Sequence, residues 1–212
     1  MTVDGKFITV EGIEGVGKST NIEFLSAIIE DNGISVLRTR EPGGTPMAER
    51  IRQMLLEHGT EELPDIAESL LFFASRSLHV SNAIRPALAA GQWVVCDRFT
   101  DASRAYQGHG RGLGLERINL MAEWVQEGLQ PDLTILLDAP AAVGMARAEK
   151  RGAADRLDSE EASFYRRVRD GYLGLAAAEP ERFAVIDASQ EIEPVRDAIA
   201  VVINRLLSEN KD

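Results

Sequence analysis

A glycine-rich segment near the N-terminus has the residue types needed to bind phosphate groups. Residues Gly12–Ser19 read GIEGVGKS and match the pattern G-x-x-x-x-G-K-[ST]. Glycine lacks a Cβ, so backbone N–H groups in such a loop can approach phosphate oxygens closely. The pattern predicts that Lys18 contacts the β- and γ-phosphates of ATP and that Ser19 ligates Mg²⁺. We predict that the ATP phosphates are bound by Gly12, Ile13, Glu14, Gly15, Val16, Gly17, Lys18, Ser19 and Thr20.

An acidic and a basic residue stand side by side where a later apolar segment ends. Asp97 and Arg98 directly follow Trp93–Cys96, which has the composition of a buried strand. At the carboxyl edge of a parallel sheet, the carboxylate of Asp97 would face Mg²⁺ and phosphate groups. The guanidinium of Arg98 can bind a phosphate through two parallel hydrogen bonds. The alternative is an ordinary ion pair at the end of a strand.

Apolar segments typical of strands alternate with segments of helical spacing along the chain. The predicted strands are Phe7–Glu11, Ile34–Leu37, Trp93–Cys96, Leu133–Leu137 and Phe183–Ile186. The predicted helices are Ser19–Asn32, Pro46–His58, Ile66–Ala90 (broken or kinked at Pro86), Leu115–Glu127, Ala141–Lys150, Ser159–Ala178 and Ile192–Leu207. This alternation predicts one α/β domain over residues 1–212, with a parallel sheet covered by helices on both faces.

The composition of the chain excludes several classes of partner. With 34 acidic and 23 basic residues the net charge is −11, so nucleic acid and anionic membranes would repel the chain. No segment approaches the roughly 18 apolar residues that a membrane span needs. Cys96 is the only cysteine, which excludes an internal disulfide and leads us to expect a cytoplasmic protein. A switch GTPase is also disfavoured, because the only Asn-Lys pair, Asn210-Lys211, is too close to the C-terminus to begin an Asn-Lys-x-Asp motif.

Several segments together resemble one known family. They are Phe7–Thr20 (FITVEGIEGVGKST), Thr39–Thr45 (TREPGGT), Leu71–Arg76 (LFFASR), Asp97–Gly112 (DRFTDASRAYQGHGRG) and Asp155-Arg156. This combination resembles bacterial thymidylate kinase over nearly the whole chain. The resemblance implies a P-loop NTPase fold of the nucleoside monophosphate kinase type, with a five-stranded parallel sheet flanked by helices. It also implies Mg²⁺-dependent phosphoryl transfer from ATP to dTMP, and a homodimer.

The resemblance assigns the thymine base and the sugar to a set of side chains. Phe72 would stack on the thymine ring and Arg76 would donate a hydrogen bond to its O4, which is chemically reasonable for a flat base with an acceptor on its edge. Ser103 and Gln107 would lie near the base edge, and Tyr106 would lie against the deoxyribose. From the residues alone, the alternatives are core packing for Phe72 and a surface charge for Arg76.

The resemblance also assigns the groups that bind the charged end of dTMP. Arg98 and Arg52 would hold its 5′-phosphate, and Glu14, which is an unusual acidic residue inside a phosphate loop, would meet its 3′-OH. A solvent-exposed helix face is the alternative for Arg52.

A further arginine is expected in a mobile lid of about residues 147–158. Some family members carry the catalytic arginine in the phosphate loop, immediately after the acidic residue, but that position is Gly15 here. The lid would therefore supply it. Arg151 matches the family pattern best, with Arg147 and Arg156 as alternatives.

Two other functions remain open on the residues alone. One is a P-loop kinase for a different nucleotide or a small hydroxyl compound, and the other is a non-catalytic protein whose interactions depend on a bound nucleotide.

The histidines His58, His79 and His109 lack metal-ligand spacing, so we predict ordinary structural roles for them. Gly108–Gly114, which contains Arg111, is predicted to be an ordered loop near the substrate and not an RNA-binding segment.

Overall fold

The computed structural model describes residues 5–57, 63–151 and 160–210, without the side chains of Lys150 and Arg151. Its strands are β1 (Phe7–Glu11), β2 (Val36–Arg40), β3 (Trp93–Asp97), β4 (Leu133–Asp138) and β5 (Phe183–Asp187). Its helices are α1 (Lys18–Asp31), α2 (Pro46–Leu56), α3 (Asp65–His79), α4 (Arg85–Ala89), α5 (Thr100–Ser103), α6 (Leu115–Gln126), α7 (Ala141–Arg151), α8 (Ala162–Ala178) and α9 (Ile192–Glu209). Two π-helical segments, Val80–Ile84 and Arg104–Gly110, directly follow α3 and α5.

The strands form one five-stranded sheet in the order β2-β3-β1-β4-β5. Every neighbouring pair is parallel, so all the strands end at the same edge. This arrangement confirms the predicted α/β class and the five-stranded parallel sheet. Because β1 is the central strand, the glycine-rich segment that follows it emerges in the middle of the carboxyl edge, where a parallel sheet typically binds ligands.

The core lies on both faces of the central strand. Ile8 and Val10 of β1 pack in a large cluster with apolar residues of α1, α8 and α9. Phe7 points to the opposite face and packs with Val80, Ile84 and Val94. A strand that is buried on both faces needs a continuous apolar run, which explains why β1 was predicted with its observed bounds.

The second strand begins and ends later than predicted. The apolar run Ile34–Leu37 suggested its position, but the strand that pairs with β3 is Val36–Arg40. It lies at the edge of the sheet, where it alternates half-buried and exposed residues, and Arg38 and Arg40 are among the exposed ones. Edge strands accept charged side chains, so an apolar run marks them poorly.

The long helix predicted over residues 66–90 does not break at Pro86. Helix α3 instead widens into the π-helical turn Val80–Ile84 and continues as α4, with Pro86 in the first turn of α4. Proline lacks an N–H group, and the first turn of a helix is the place where that loss costs least. The irregularity therefore precedes the proline.

Residues 100–110 are helical, although no helix was predicted there. Short helix α5 continues into the π-helical segment Arg104–Gly110, so part of the predicted loop Gly108–Gly114 is helical. Packing favours this conformation, since a Cβ at Gly110 would lie 2.7 Å from the ring of Phe164 in α8. Glycine lowers helix propensity, but the close approach of α8 requires it at position 110.

The other predicted elements agree with the structure to within a few residues at their ends, which is the usual uncertainty of helix boundaries. His58 and Ser159, at which two of the predicted helices end or begin, lie outside the described residues. Within the described part of the chain, no helix is long and apolar enough to cross a membrane.

Candidate active site

The glycine-rich loop forms a cradle between β1 and the start of α1. Gly12, Gly15 and Gly17 all have positive φ angles, of 135°, 75° and 88°, which favour glycine. The side chains of Ile13 and Val16 turn into the core, with 2% and 3% exposure, so their contribution to a ligand would come from the backbone. The loop and the first turn of α1 border an open polar cavity, which we call the phosphate cavity.

Lys18 reaches back over the loop from the first residue of α1. Its Nζ atom donates to the carbonyl oxygen of Ile13 at 3.1 Å and more weakly to that of Gly12 at 3.4 Å. Burial, and then the neighbouring positive charge of Arg98, lower the pKa of Lys18. An ammonium group that donates only to these two carbonyl oxygens can exchange them for an anionic phosphate, to which it would donate more strongly.

Asp97 and Ser19 both line the phosphate cavity. The Oδ1 atom of Asp97 is buried and has no hydrogen-bond partner among the described residues. A buried acceptor without a partner is costly, and a hydrated cation would satisfy it. The carboxylate and hydroxyl oxygens fit the preference of Mg²⁺ for hard ligands and retained water. Among the described residues, no group of three or more histidine, cysteine, aspartate or glutamate side chains is arranged to hold a metal ion.

A second cavity, which we call the acceptor cavity, adjoins the phosphate cavity. The structure brings together in its wall all the residues that the resemblance assigned to dTMP, namely Glu14, Arg52, Phe72, Arg76, Arg98, Ser103, Tyr106 and Gln107. Four side chains, those of Glu14, Glu41, Arg52 and Arg98, line both cavities. The boundary between the cavities is therefore the place where two anionic ligands would meet.

Arg98 lies at this boundary in a left-handed backbone conformation, with a φ of 70°. Its Nη1 atom donates to the carbonyl oxygen of Gly12 at 2.9 Å, and its Nη2 atom donates to Glu14 at 2.8 Å. The guanidinium lies over the ring of Tyr106, 4.8 Å from the ring centre, while the Tyr106 hydroxyl donates to Glu14 at 2.6 Å. Phosphate loop, arginine and tyrosine thus form one rigid cluster.

A buried carboxyl group fixes the backbone beside Arg98. Glu11 is fully buried and accepts hydrogen bonds from the backbone N–H of Phe99 and the hydroxyl of Tyr172, both at 2.7 Å. Burial, reinforced by the charge of Asp101, raises the pKa of Glu11 to about 8. Arg98 also donates to the Tyr172 hydroxyl at 3.2 Å. Sequence reasoning missed both Glu11 and Tyr172, because a glutamate at the end of a strand and a tyrosine within a helix carry no motif.

Arg76 is buried at the far end of the acceptor cavity, with 1% exposure. Its surface position, one of the open alternatives, is therefore wrong. The Nε atom donates to Glu41 at 2.7 Å, and Nη2 donates to Ser103 Oγ at 3.0 Å and to the carbonyl oxygen of Phe99 at 3.1 Å. Nη1 is buried and has no partner among the described residues. Arg76 therefore has one unused donor group beside a cavity that it lines.

Phe72 and Gln107 complete the wall near Arg76. Phe72 is only half-buried and lines the cavity, whereas the core position is taken by its neighbour Phe73. The core alternative for Phe72 is therefore wrong as well. Gln107 is buried and its amide nitrogen donates to Glu68 at 3.0 Å.

The comparisons with known proteins identify the family. A sequence model described as thymidylate kinase matches residues 10–199. The thymidylate kinase of Methylococcus capsulatus is 52% identical over 204 residues, which cover 96% of this chain and 97% of that protein. The chain belongs to the thymidylate kinase family.

Other relatives in the thymidylate kinase family are similar to the same degree. The protein from Chromohalobacter salexigens is 53% identical over 206 residues, with 96% of this chain and 97% of that protein covered. The protein from Pseudomonas entomophila is 49% identical over 205 residues, with coverage of 97% and 98%. The resemblance indicated by the sequence motifs is thereby confirmed, and the non-catalytic alternative is not favoured.

In this thymidylate kinase family member, helix α7 crosses directly over the phosphate loop. A Cβ at Gly15 would collide with the backbone carbonyl of Gly144, and a Cβ at Gly144 would lie 2.5 Å from the carbonyl oxygen of Glu14. The two glycines therefore allow two backbones to touch. The crossing also explains why α7 carries a glycine in its interior, where it lowers helix stability.

Of the three arginines considered for the lid, the structure describes the side chain of Arg147 alone. Arg147 donates to the carbonyl oxygens of Ala188 at 2.6 Å and Ser189 at 3.2 Å, and it also lines the phosphate cavity. The side chain of Arg151, and the whole of Arg156, lie outside the described residues. Arg111 forms ion pairs with Glu68 at 3.4 Å and Glu160 at 2.6 Å, so its charge is used within the fold.

Proposed function

We infer that this chain is a nucleoside monophosphate kinase that phosphorylates dTMP to dTDP with ATP as the phosphoryl donor. The observation that carries this function is the meeting of two cavities at Arg98, Arg52 and Glu14. One cavity has a phosphate loop for the donor, and the other has an aromatic and an arginine side chain suited to a flat base. Membership of the thymidylate kinase family identifies that base as thymine.

Phosphoryl transfer depends on positioning and on neutralising charge. A phosphate oxygen of dTMP attacks the γ-phosphorus of ATP in line with the leaving ADP. Lys18 and the amides of the phosphate loop stabilise the donor phosphates, while Arg98 and Arg52 offset the charge of the acceptor phosphate. A phosphate oxygen at neutral pH is already a sufficient nucleophile, so we assign no general base.

Mg²⁺ would be held at Ser19 and Asp97, where it would supply charge neutralisation between the donor phosphates. Asp97 would orient the water molecules of the ion, since its carboxylate lines the phosphate cavity and its Oδ1 atom has no partner among the described residues.

The residues of the acceptor cavity divide between base and sugar. Phe72 stacks on thymine, Arg76 donates through Nη1 to O4, and Ser103 and Gln107 border the base edge. The Tyr106 ring would lie against the deoxyribose, where a ribose 2′-OH would clash with it, and Glu14 would accept from the 3′-OH. Support comes from the buried, unpaired Nη1 atom of Arg76 and from the common cavity that all these side chains line.

A homodimer and a cytoplasmic location are further proposals. Large apolar side chains are exposed on α3 and α6, namely Ile66 (58%), Leu70 (54%), Leu120 (69%) and Trp124 (83%). An apolar surface of this kind is typical of an interface, and a second copy of the chain is the expected partner in this family. The cytoplasmic location is supported by a single cysteine, Cys96, that is buried and free.

We expect ADP to form from ATP and Mg²⁺ only when dTMP is present, with AMP, GMP and CMP as poor acceptors. Without dTMP, Arg98 and Arg52 lack the acceptor phosphate that they are placed to bind, so the site for phosphoryl transfer is incomplete. A coupled assay of ADP release with a panel of monophosphates measures this, and a chelator provides the metal-free control. Turnover with AMP and none with dTMP would contradict the function.

Substitution of Arg76 by alanine should reduce discrimination between thymine and cytosine. Thymine presents an acceptor at O4, whereas cytosine presents an amino donor there, which would leave the buried Nη1 donor unpaired at a cost of roughly 1–3 kcal/mol. The ratio of kcat/KM for dTMP to that for dCMP should fall by about 10-fold in the variant. An unchanged ratio, with both activities reduced together, would assign base recognition to Gln107 and Ser103.

A further inference from the structure

His79, for which the sequence predicts an ordinary structural role, lies at the end of a buried chain of hydrogen bonds that reaches Arg76. The side chain has no exposed surface. Its Nδ1 atom lies 2.9 Å from Oε1 of Glu41, and its Nε2 atom lies 2.7 Å from the hydroxyl of Thr39. Since a carboxylate can only accept, Nδ1 must carry the hydrogen of the first contact.

Glu41 uses its two carboxylate oxygens for two different partners. Oε1 accepts from His79, and Oε2 accepts from Nε of Arg76 at 2.7 Å. Both oxygens are buried and committed, so the plane of the carboxylate is fixed. A fixed carboxylate in turn fixes the guanidinium plane of Arg76, whose Nη2 atom is shared between Ser103 and the carbonyl of Phe99.

The guanidinium of Arg76 also lies over two aromatic rings. It lies 4.6 Å from the ring centre of Phe73 and 5.2 Å from that of Phe99. These contacts limit tilting but leave rotation within the plane to the hydrogen bonds. The direction in which Nη1 points therefore depends on Glu41 together with the two partners of Nη2.

We propose that His79 is a positioning residue for base recognition, because its Nδ1 hydrogen bond holds Glu41 in the orientation that aims Nη1 of Arg76 into the acceptor cavity. The proposal rests on the proposed function, in which Arg76 donates to thymine O4. Without His79, Glu41 is free to pair side-on with Arg76 through Nε and Nη2. That pairing would displace Ser103 and turn Nη1 away from the base.

A purely structural role for His79 has to be separated from this one. A Cβ at Gly44 would collide with the His79 ring, so the ring packs tightly against the Gly43–Gly44 turn. Loss of the ring would lower stability whether or not it positions Arg76. Stability and base discrimination must therefore be measured in the same variants.

The test compares His79→Asn with His79→Gln. The asparagine amide nitrogen occupies the position of Nδ1 and can still donate to Glu41, whereas the glutamine amide reaches only the position of Nε2. Both variants lose the ring. We expect His79→Gln to lower the ratio of kcat/KM for dTMP to that for dCMP by about 10-fold, and His79→Asn to keep it within about 3-fold of wild type. Ser77→Ala, on the exposed side of α3, is the matched control.

An unchanged ratio in both variants, with similar losses for both nucleotides, would overturn the proposal, as would equal loss of discrimination in both. Should the variants fail to fold, Glu41→Gln tests the same chain, because His79 and Arg76 donate to different oxygens of Glu41 and glutamine replaces one of these oxygens by an amide donor. An unchanged ratio there would also overturn the proposal. Wild-type protein without dTMP turnover would instead refute the proposed function. Arg76→Ala with an unchanged ratio would refute only the base contact.

Discussion

Replacing Arg98 by alanine is expected to lower kcat/KM for dTMP by about 10³-fold. Arg98 lines both cavities, as Arg52 also does, and it contacts the phosphate loop at the carbonyl oxygen of Gly12. Its removal would leave the acceptor phosphate unshielded as it approaches the γ-phosphate. It would also leave Glu14, which pairs with Arg98 at 2.8 Å, as an uncompensated negative charge at the same point.

A second substitution separates charge from geometry at this position. Lysine keeps the positive charge but cannot contact Gly12, Glu14 and a phosphate through a planar fork. Arg98→Lys should therefore recover only part of the lost activity, about 10-fold relative to alanine. Steady-state kinetics with dTMP measure both variants, with Arg205→Ala, at an exposed arginine of helix α9, as the control. A loss below 10-fold for Arg98→Ala would remove Arg98 from the mechanism.

Replacing Arg151 by alanine is expected to lower kcat by about 10³-fold with little change in the KM for dTMP, as for an arginine that acts mainly on the transition state. The reason is that the phosphate loop has glycine at position 15 and therefore lacks an arginine of its own. We therefore expect an arginine of the lid to stabilise the charge that develops on the transferred phosphoryl group. Steady-state kinetics with saturating ATP measure the effect.

Arg147→Ala is the matched comparison, because Arg147 and Arg151 share helix α7. The guanidinium of Arg147 is already bound to the carbonyl oxygens of Ala188 and Ser189. Its loss should therefore loosen the connection after β5 and raise the KM for ATP more than it lowers kcat. If Arg151→Ala leaves kcat unchanged, the role moves to Arg147 or Arg156.

The parts of the fold that sequence predicted share a local signal. Strands β1 and β4 are continuous apolar runs because they are buried on both faces, and the phosphate loop is recognisable because glycine, lysine and serine are needed at fixed spacings. The acceptor cavity was predicted by resemblance, since stretches such as Asp97–Gly112 and Leu71–Arg76 occur together. Strand order placed their side chains at one edge of the sheet.

The parts that sequence missed depend on contacts between distant residues. Tyr172 and Glu11 are 161 positions apart, and His79 and Glu41 are 38 apart. No local pattern relates either pair, because each contact exists only after the helices have packed on the sheet. The helical conformation of residues 104–110 was missed for the same reason, since it depends on the close approach of α8 to Gly110.

The contact between Gly15 and Gly144 has a consequence for engineering and for evolution. Because the backbones of the loop and α7 touch there, neither position can gain a side chain without moving the helix. An arginine cannot therefore be transplanted from the lid into the phosphate loop by one substitution. A protein with an arginine at this position would need a wider spacing between the phosphate loop and α7, so the location of the arginine and the packing of this helix have to change together.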